Sequence, residues 1–230
     1  MSSALFKTLD MDYNYAHKDT LEGERQTPTA QFNNVRLSEE IEKIRMSACS
    51  REIPVSDSET LTFLTTLLTA LQPKKILEIG TAVGVSAATM LSVCGSAHIT
   101  TIEKNESFYA EAQENFKILG KTQHVSVILG DAAEILPTLS GQFDFIFLDG
   151  PKVQYVRYLP ELIRLLRRGG TLLADDVLLF GYVTGEEEVP KKRKMLVQHV
   201  KEYISAVTTD QNLRTTVLNI GNGLAMSVKI

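Results

Sequence analysis

KKILEIGTAVGVSAATMLSV (residues 74–93) reads as a β-rich run that enters a glycine-containing turn at Gly80 and leaves it, past Gly84, as a helix over Ser86–Val93. The same alternation repeats downstream. HITTIE (98–103) is a second strand, with a helix over Glu106–Leu119 ended by Gly120, and VSVIL (125–129) is a third, followed by a short helical stretch over Ala132–Leu139. FDFIFLD (143–149) is a nearly continuous apolar run, the pattern of a strand covered on both faces. Gln154–Arg168 then carries Val156, Leu159, Ile163 and Leu166 at helical spacing, up to Gly169-Gly170. TLLADD (171–176) is a fifth strand and Lys191–Val207 the last long helix. RTTVLNI and LAMSVKI flank Gly221-Asn222-Gly223, a tight-turn signal for a closing hairpin. Five strand-then-helix units and a terminal hairpin predict an α/β fold, a doubly wound and mostly parallel sheet with one antiparallel strand.

Toward the N-terminus the texture differs. A helical pattern runs from Leu37 to Ser50 and is broken by Ile53-Pro54-Val55. Ser56 with Glu59 has capping-box spacing, and Leu61, Leu64, Leu67, Leu68 and Leu71 form an apolar stripe that ends at Gln72-Pro73. Residues 1–35 are polar and aperiodic and read as an arm, leaving 36–230 as one domain. With 230 residues, 43% hydrophobic and 23% charged, the chain suits a single globular unit. No apolar run approaches the roughly 20 residues that span a bilayer, and Met1–Asp10 lacks a signal-peptide core, so a cytoplasmic protein without membrane contact is expected. Cys49 and Cys94 match no zinc spacing and read as reduced core residues. The net charge of −4 gives no whole-chain field that favours nucleic acid.

In doubly wound sheets ligands bind beyond the carboxyl ends of the strands. The first strand ends in Glu78-Ile79-Gly80-Thr81-Ala82-Val83-Gly84, where glycines allow a tight turn and close approach of a ligand to the main chain. The spacing G-x-x-x-G is not the G-x-G-x-x-G that cradles a dinucleotide, which argues against an NAD dehydrogenase. Glu78, ahead of the first glycine, suits a ligand carrying a positive amino group. Glu103 ends the second strand 23 residues after Gly80, where a carboxylate can accept both ribose hydroxyls. With the Gly130-Asp131-Ala132 turn these residues point to a nucleoside. Asp149, Asp175 and Asp176 end two strands expected to be neighbours, so three carboxylates converge. Unpaired they would repel, and a hard divalent cation such as Mg²⁺ resolves that.

LEIGTAVGVSA, TIE and GDA resemble the motifs of class I S-adenosylmethionine-dependent methyltransferases. FIFLDGPKVQY (145–155) and LLADDVLLFGYV (172–183) narrow the resemblance to the divalent-metal-dependent O-methyltransferases of the catechol and caffeoyl-CoA type. It implies a seven-stranded sheet, S-adenosylmethionine held by Glu78, Gly80, Gly84, Ser86, Glu103, Asp131, Ala132 and Asp149, and a metal on Asp149, Asp175 and Asp176. The third metal position is usually asparagine in that family and is Asp176 here. Lys152, three residues after Asp149, takes the place of the family's general base on the substrate hydroxyl. A dication and a sulfonium beside it are expected to depress its pKa. The resemblance also implies a homodimer with N-terminal helices near the site.

Two adjacent acceptor oxygens suit such a site, and both catechols and 5-hydroxyuridine supply them. QPKKILEIGTA, DVLLFGYV, the KKRK run and NIGNGLAMSVK look similar to the bacterial tRNA 5-hydroxyuridine methyltransferase branch. Wobble uridine in tRNA is therefore the expected acceptor, with Lys191, Lys192, Arg193 and Lys194 on phosphate. A small catechol-like phenol or its CoA thioester is the alternative. A module that binds the cofactor without catalysis stays open on the strength of Asp176 and Gly150-Pro151.

Overall fold

The computed structural model describes residues 27–230. The expected arm therefore falls largely outside the described residues. Seven strands form one sheet: β1 Lys75–Ile79, β2 His98–Glu103, β3 Val125–Leu129, β4 Phe143–Leu148, β5 Leu166–Ala174, β6 Leu213–Leu218 and β7 Leu224–Lys229, in the order β3-β2-β1-β4-β5-β7-β6. β1 to β5 are parallel, and β7 runs antiparallel to both β5 and β6. The order reverses between β1 and β4, which places the switch point between Gly80 and Asp149.

Both faces of the sheet are covered, and successive residues of the strands divide between them. Ile76, Ile99, Phe145, Phe147 and Leu173 pack under α1 (Glu39–Ser50), α2 (Ser58–Leu71), α3 (Val85–Val93) and α4 (Glu106–Ile118). Leu77, Ile79, Ile146, Leu148 and Leu172 face α5 (Ala132–Ile135), α6 (Tyr155–Leu165) and α7 (Lys194–Thr209). The apolar stripe of α2 is buried through Leu61, Leu64 and Leu68. Each fully buried leucine contributes roughly 1.5–3 kcal/mol of transfer free energy. Among the described residues no helix is long and apolar enough to cross a membrane.

Three local expectations are corrected. The cap of α2 is Asp57, whose side chain accepts from Thr60 N at 2.8 Å. Ser56 instead turns its hydroxyl to Asp149, and Glu59 accepts from residues upstream of α1. Gly169-Gly170 does not end α6, which stops at Leu165. The two glycines lie inside β5, where the register against β4 shifts between Phe143 and Phe145. The last helix is preceded by a 3₁₀ turn over Lys191–Arg193 and begins at Lys194.

Candidate active site

Backbone pairing continues just past the strand ends and fixes the residues that follow. Gly80 N donates to Ile102 O at 3.0 Å, Asp149 N to Ile79 O at 2.9 Å, and Asp175 N to Leu148 O at 3.0 Å. Gly80 has φ +98°, and a β-carbon there would overlap the carbonyl oxygen of Asp149. Its lack of a side chain thus lets β1 and β4 close on each other at the switch point. Tyr155, fully buried, donates its hydroxyl to Leu148 O at 3.0 Å and to Asp175 O at 3.3 Å, tying the end of β4 to the end of β5.

On the β1–β3 side a cleft of about 880 Å³ opens beside Gly80, Glu103, Asn105, Asp131, Ala132 and Tyr158. Glu103 sits on its floor, its Oε2 accepting from Ala82 N at 2.8 Å and its Oε1 from Asn105 N at 2.7 Å. Burial holds its pKa above the ordinary carboxylate value despite those donors. Asp131 caps α5 by accepting from Ala133 N at 2.9 Å, with Lys104 at 3.6 Å. A narrow second pocket, lined by Ser56, Gly80, Ala82, Ser86 and Asp149 among others, adjoins the first through Gly80. Carboxylates line both, Glu103 and Asp131 the first and Asp149 the second.

Glu78 stands apart from that expectation. It is 0% exposed, and its two oxygens accept from Ser86 Oγ and Thr101 Oγ1, both at 2.6 Å. Burial pushes its pKa up to about 8, against the pull of the two hydroxyls. It therefore supports the turn from beneath, while Ser86 reaches the pocket. Gly84, at φ +89°, precedes α3 and lies against the Phe116 ring, so its role is helix packing rather than lining.

Asp149, Asp175, Asp176 and Lys152 do meet. Lys152 Nζ lies 2.9 Å from Asp149 Oδ1 and 2.9 Å from Asp176 Oδ2, with the lysine side chain only 2% exposed. Burial opposes its charge, but Asp149 and Asp176, with Asp175 behind them, outweigh burial and hold the ammonium well above the usual lysine range. The carboxylates alone thus act opposite to the depression expected from a dication and a sulfonium. Asp175 is buried, and burial first, then Asp176, Asp149 and Asp57, drive its carboxyl well above the ordinary value, with Lys152 opposing. Asp176 adopts φ +58°, turning its side chain back toward the lysine. Among the described residues no three acidic, histidine or cysteine side chains form a coordination shell, because the ammonium stands between two of the three carboxylates. In kind the donors fit a hard divalent cation: Asp149, Asp175 and Asp176 offer carboxylate oxygens at neighbouring strand ends, and one ammonium is bonded to two of them, Asp149 and Asp176.

Sequence reasoning missed the second layer. Ser56 Oγ donates to Asp149 Oδ2 at 3.3 Å, and Thr60 Oγ1 donates to Asp175 Oδ1 at 3.4 Å and Asp57 Oδ2 at 3.3 Å. Glu59 Oε1 accepts from Thr27 Oγ1 at 2.5 Å and Asn33 Nδ2 at 3.2 Å, strapping residues 27–33 onto the start of α2. The cluster of Ser, Asp and Thr before the leucine stripe was the available signal, and it was spent on a helix cap. The KKRK run divides. Lys191, Lys192 and Lys194 are exposed, whereas Arg193 is 4% exposed, its guanidinium 5.6 Å from the ring centres of both Phe180 and Tyr182. Arg193 is therefore removed from the expected phosphate contacts: it braces the loop that follows Asp176.

The sequence matches a family model described as O-methyltransferase over residues 29–230. It is 27% identical over 188 residues to a caffeoyl-CoA O-methyltransferase of Populus kitakamiensis, covering 78% of this chain and 79% of that one. Among solved structures it resembles a Staphylococcus aureus protein assigned to the caffeoyl-CoA O-methyltransferases, with 32% identity, TM-score 0.77, and 87% and 95% of the two chains covered. It also resembles TomG, an O-methyltransferase of tomaymycin synthesis from Streptomyces achromogenes, in complex with SAM. That pair has 25% identity and TM-score 0.74, with 85% and 91% covered.

Proposed function

The chain belongs to the O-methyltransferase family, and we propose that it moves a methyl group from S-adenosylmethionine to a hydroxyl lying beside a second oxygen on the acceptor. The observation that carries this reading is the meeting of Lys152, Asp149 and Asp176 at the strand ends, next to a glycine shared by a large cleft and a narrow pocket. In this reading Glu103, Asp131 and Ala132 hold the nucleoside and Ser86 and the Gly80 turn hold the amino-acid tail. Glu78 acts from behind Ser86. A fixed cleft contributes chiefly through positioning: the methyl carbon leaves sulfur as it bonds to the acceptor oxygen, and S-adenosylhomocysteine departs. Asp149, Asp175 and Asp176 are the residues that would hold a divalent cation, Mg²⁺ or a similar one, which would supply Lewis acidity toward the paired oxygens. Lys152 is the residue placed to receive the acceptor's proton.

For the acceptor we favour a small catechol-type phenol, which the net charge of −4 does not repel, or its CoA thioester, because the Populus relative is named for caffeoyl-CoA. The second reading, 5-hydroxyuridine in tRNA, is favoured by the exposed Lys191, Lys192 and Lys194 and by the sequence resemblance. A cytoplasmic homodimer with reduced Cys49 and Cys94 completes the proposal. The test is methyl transfer from labelled S-adenosylmethionine, with and without EDTA, to a catechol panel and to tRNA bearing 5-hydroxyuridine. EDTA-sensitive labelling of the catechols is expected. Labelling of tRNA alone exchanges the two acceptor readings. Labelling of neither, with cofactor binding intact across a broad acceptor panel, leaves a cofactor-binding module and overturns the enzyme reading.

A further inference from the structure

The tip of the β6–β7 hairpin is buried, against the habit of connecting turns to run over the surface. Gly221, Asn222 and Gly223 sit between two segments of the candidate site. On one side the tip accepts from the loop that follows Asp176: Gly223 O from Val177 N at 2.9 Å, and Asn222 O from Leu178 N at 2.8 Å. On the other side Gly221, at φ +54°, lies against the carboxylate of Asp57. A β-carbon on Gly221 would overlap Asp57 Oδ2 and stand 2.9 Å from the carboxylate carbon and from Oδ1. The missing side chain is what lets the helix cap and the hairpin meet.

From that seat Asp57 reaches the site through one residue. Its Oδ1 accepts from Thr60 N at 2.8 Å and its Oδ2 from Thr60 Oγ1 at 3.3 Å. The same hydroxyl donates to Asp175 Oδ1 at 3.4 Å. One proton thus serves two carboxylates, and the place of Asp57 decides how Asp175 shares it. Thr60 is 0% exposed and Asp175 2%, so bulk water does not stand in for the hydroxyl. We propose that the hairpin tip is a positioning element of the active site: Gly221 seats the Asp57 carboxylate, and Asp57 with Thr60 sets the orientation of Asp175. Because the tip also holds Val177 and Leu178, one turn fixes the supports of both carboxylates that follow β5. This rests on the metal reading given above and adds to it a support from the far end of the chain.

The experiment is a double-mutant cycle on the full chain: Gly221→Ala, Asp57→Ser and the pair. Mn²⁺ binding is followed by electron paramagnetic resonance and S-adenosylhomocysteine binding by calorimetry. Serine keeps a helix cap but withdraws the carboxylate from Gly221. Gly221→Ala is expected to weaken Mn²⁺ binding about tenfold, as loss of a group that orients a metal ligand does. Asp57→Ser alone weakens it as well, and in that background Gly221→Ala is expected to change it by less than about twofold. S-adenosylhomocysteine affinity stays within about twofold throughout. Gly141→Ala, also left-handed at φ +87° but with nothing within 4 Å, is expected to leave Mn²⁺ binding unchanged. Equal weakening by Gly221→Ala in both backgrounds, no weakening in either, or a parallel loss of S-adenosylhomocysteine binding overturns the positioning role and leaves the metal reading standing. No Mn²⁺ uptake by the wild type, with S-adenosylhomocysteine binding retained, overturns both. Because alanine at Gly221 can prevent folding, Thr60→Val is measured beside it. That variant deletes the shared hydroxyl without touching the hairpin and is expected to weaken Mn²⁺ binding about tenfold. Unchanged Mn²⁺ affinity in Thr60→Val overturns the proposal.

Discussion

At Gly80 there is no room for a side chain, and the consequence can be isolated from the cost of its backbone angle. Gly141 has a similar positive φ, +87° against +98°, but a β-carbon there meets nothing within 4 Å. Alanine at either position carries the left-handed penalty, of order 1–2 kcal/mol. Gly80→Ala adds a collision with the main chain of Asp149. We expect urea unfolding to show Gly80→Ala less stable than Gly141→Ala by about 1 kcal/mol or more, and only the former to lose S-adenosylhomocysteine binding. Equal losses in the two variants would mean that β1 and β4 do not need this close approach. Glu78 supplies a second residue-level test. Its carboxyl keeps a proton up to about pH 8 in the fold, against an ordinary value of 4.5. Between those values the native state binds more protons than the unfolded chain, so stability is lost as pH rises from about 4.5 through 8. Glu78→Gln removes that dependence, on the order of several kcal/mol at full effect. Denaturation at pH 5 and pH 8.5 is expected to show a smaller fall in the variant, and parallel falls would place the titration elsewhere. Asp149, Asp175, Asp176 and Lys152 were legible because their positions depend only on where strands end. The sealing of Glu78 was not, because Thr101, which closes it, comes from the next strand and no local pattern announces it.

At the scale of elements, the strand-helix alternation was readable wherever the apolar period was strong. It failed where a long-range partner outbid a local rule. Ser56 and Glu59 have the spacing of a capping box, yet Asp57 takes the cap, since Ser56 bonds to Asp149 and Glu59 to Thr27 and Asn33. Gly169-Gly170 looks like a helix stop and is a strand irregularity instead, because the pairing of β5 with β4 resumes after it at Thr171. The clamp between β4 and β5 is the element-level feature with the clearest consequence. Tyr155→Phe keeps the ring against Tyr203, whose centre is 5.2 Å away, and deletes only the hydroxyl. Two carbonyls then lose a donor, Leu148 O and Asp175 O. The expected cost is about 1–2 kcal/mol of stability. Methyl transfer is expected to fall by more than stability alone accounts for, with kcat reduced and KM for S-adenosylmethionine nearly unchanged. Thermal denaturation beside steady-state kinetics checks this, and a rise in KM with kcat preserved would assign the clamp to the cofactor cleft instead.

Over the whole molecule the charge distribution gives the two acceptors different salt dependence. The chain carries −4 overall, and exposed Glu186, Glu187 and Glu188 stand a few residues before Lys191 and Lys192. With Arg193 withdrawn against Phe180 and Tyr182, the exposed side chains of the KKRK run are its three lysines. Counterion release makes the outcome measurable. Three phosphate contacts to a single strand give a slope of about −2 in log affinity against log salt. Between 50 and 200 mM salt an RNA acceptor is then weakened roughly fifteenfold, while a neutral catechol has no counterions to release and changes little. The acceptor reading favoured here therefore predicts a KM for catechols that is flat with salt, and unchanged when Lys191, Lys192 and Lys194 are all replaced by alanine. A steep slope for tRNA that flattens in the triple variant would instead give those lysines a substrate-binding role and transfer the site to RNA. Kinetics at three salt concentrations in the two proteins separate the cases, because the contrast depends on the surface around the site and not on the chemistry within it.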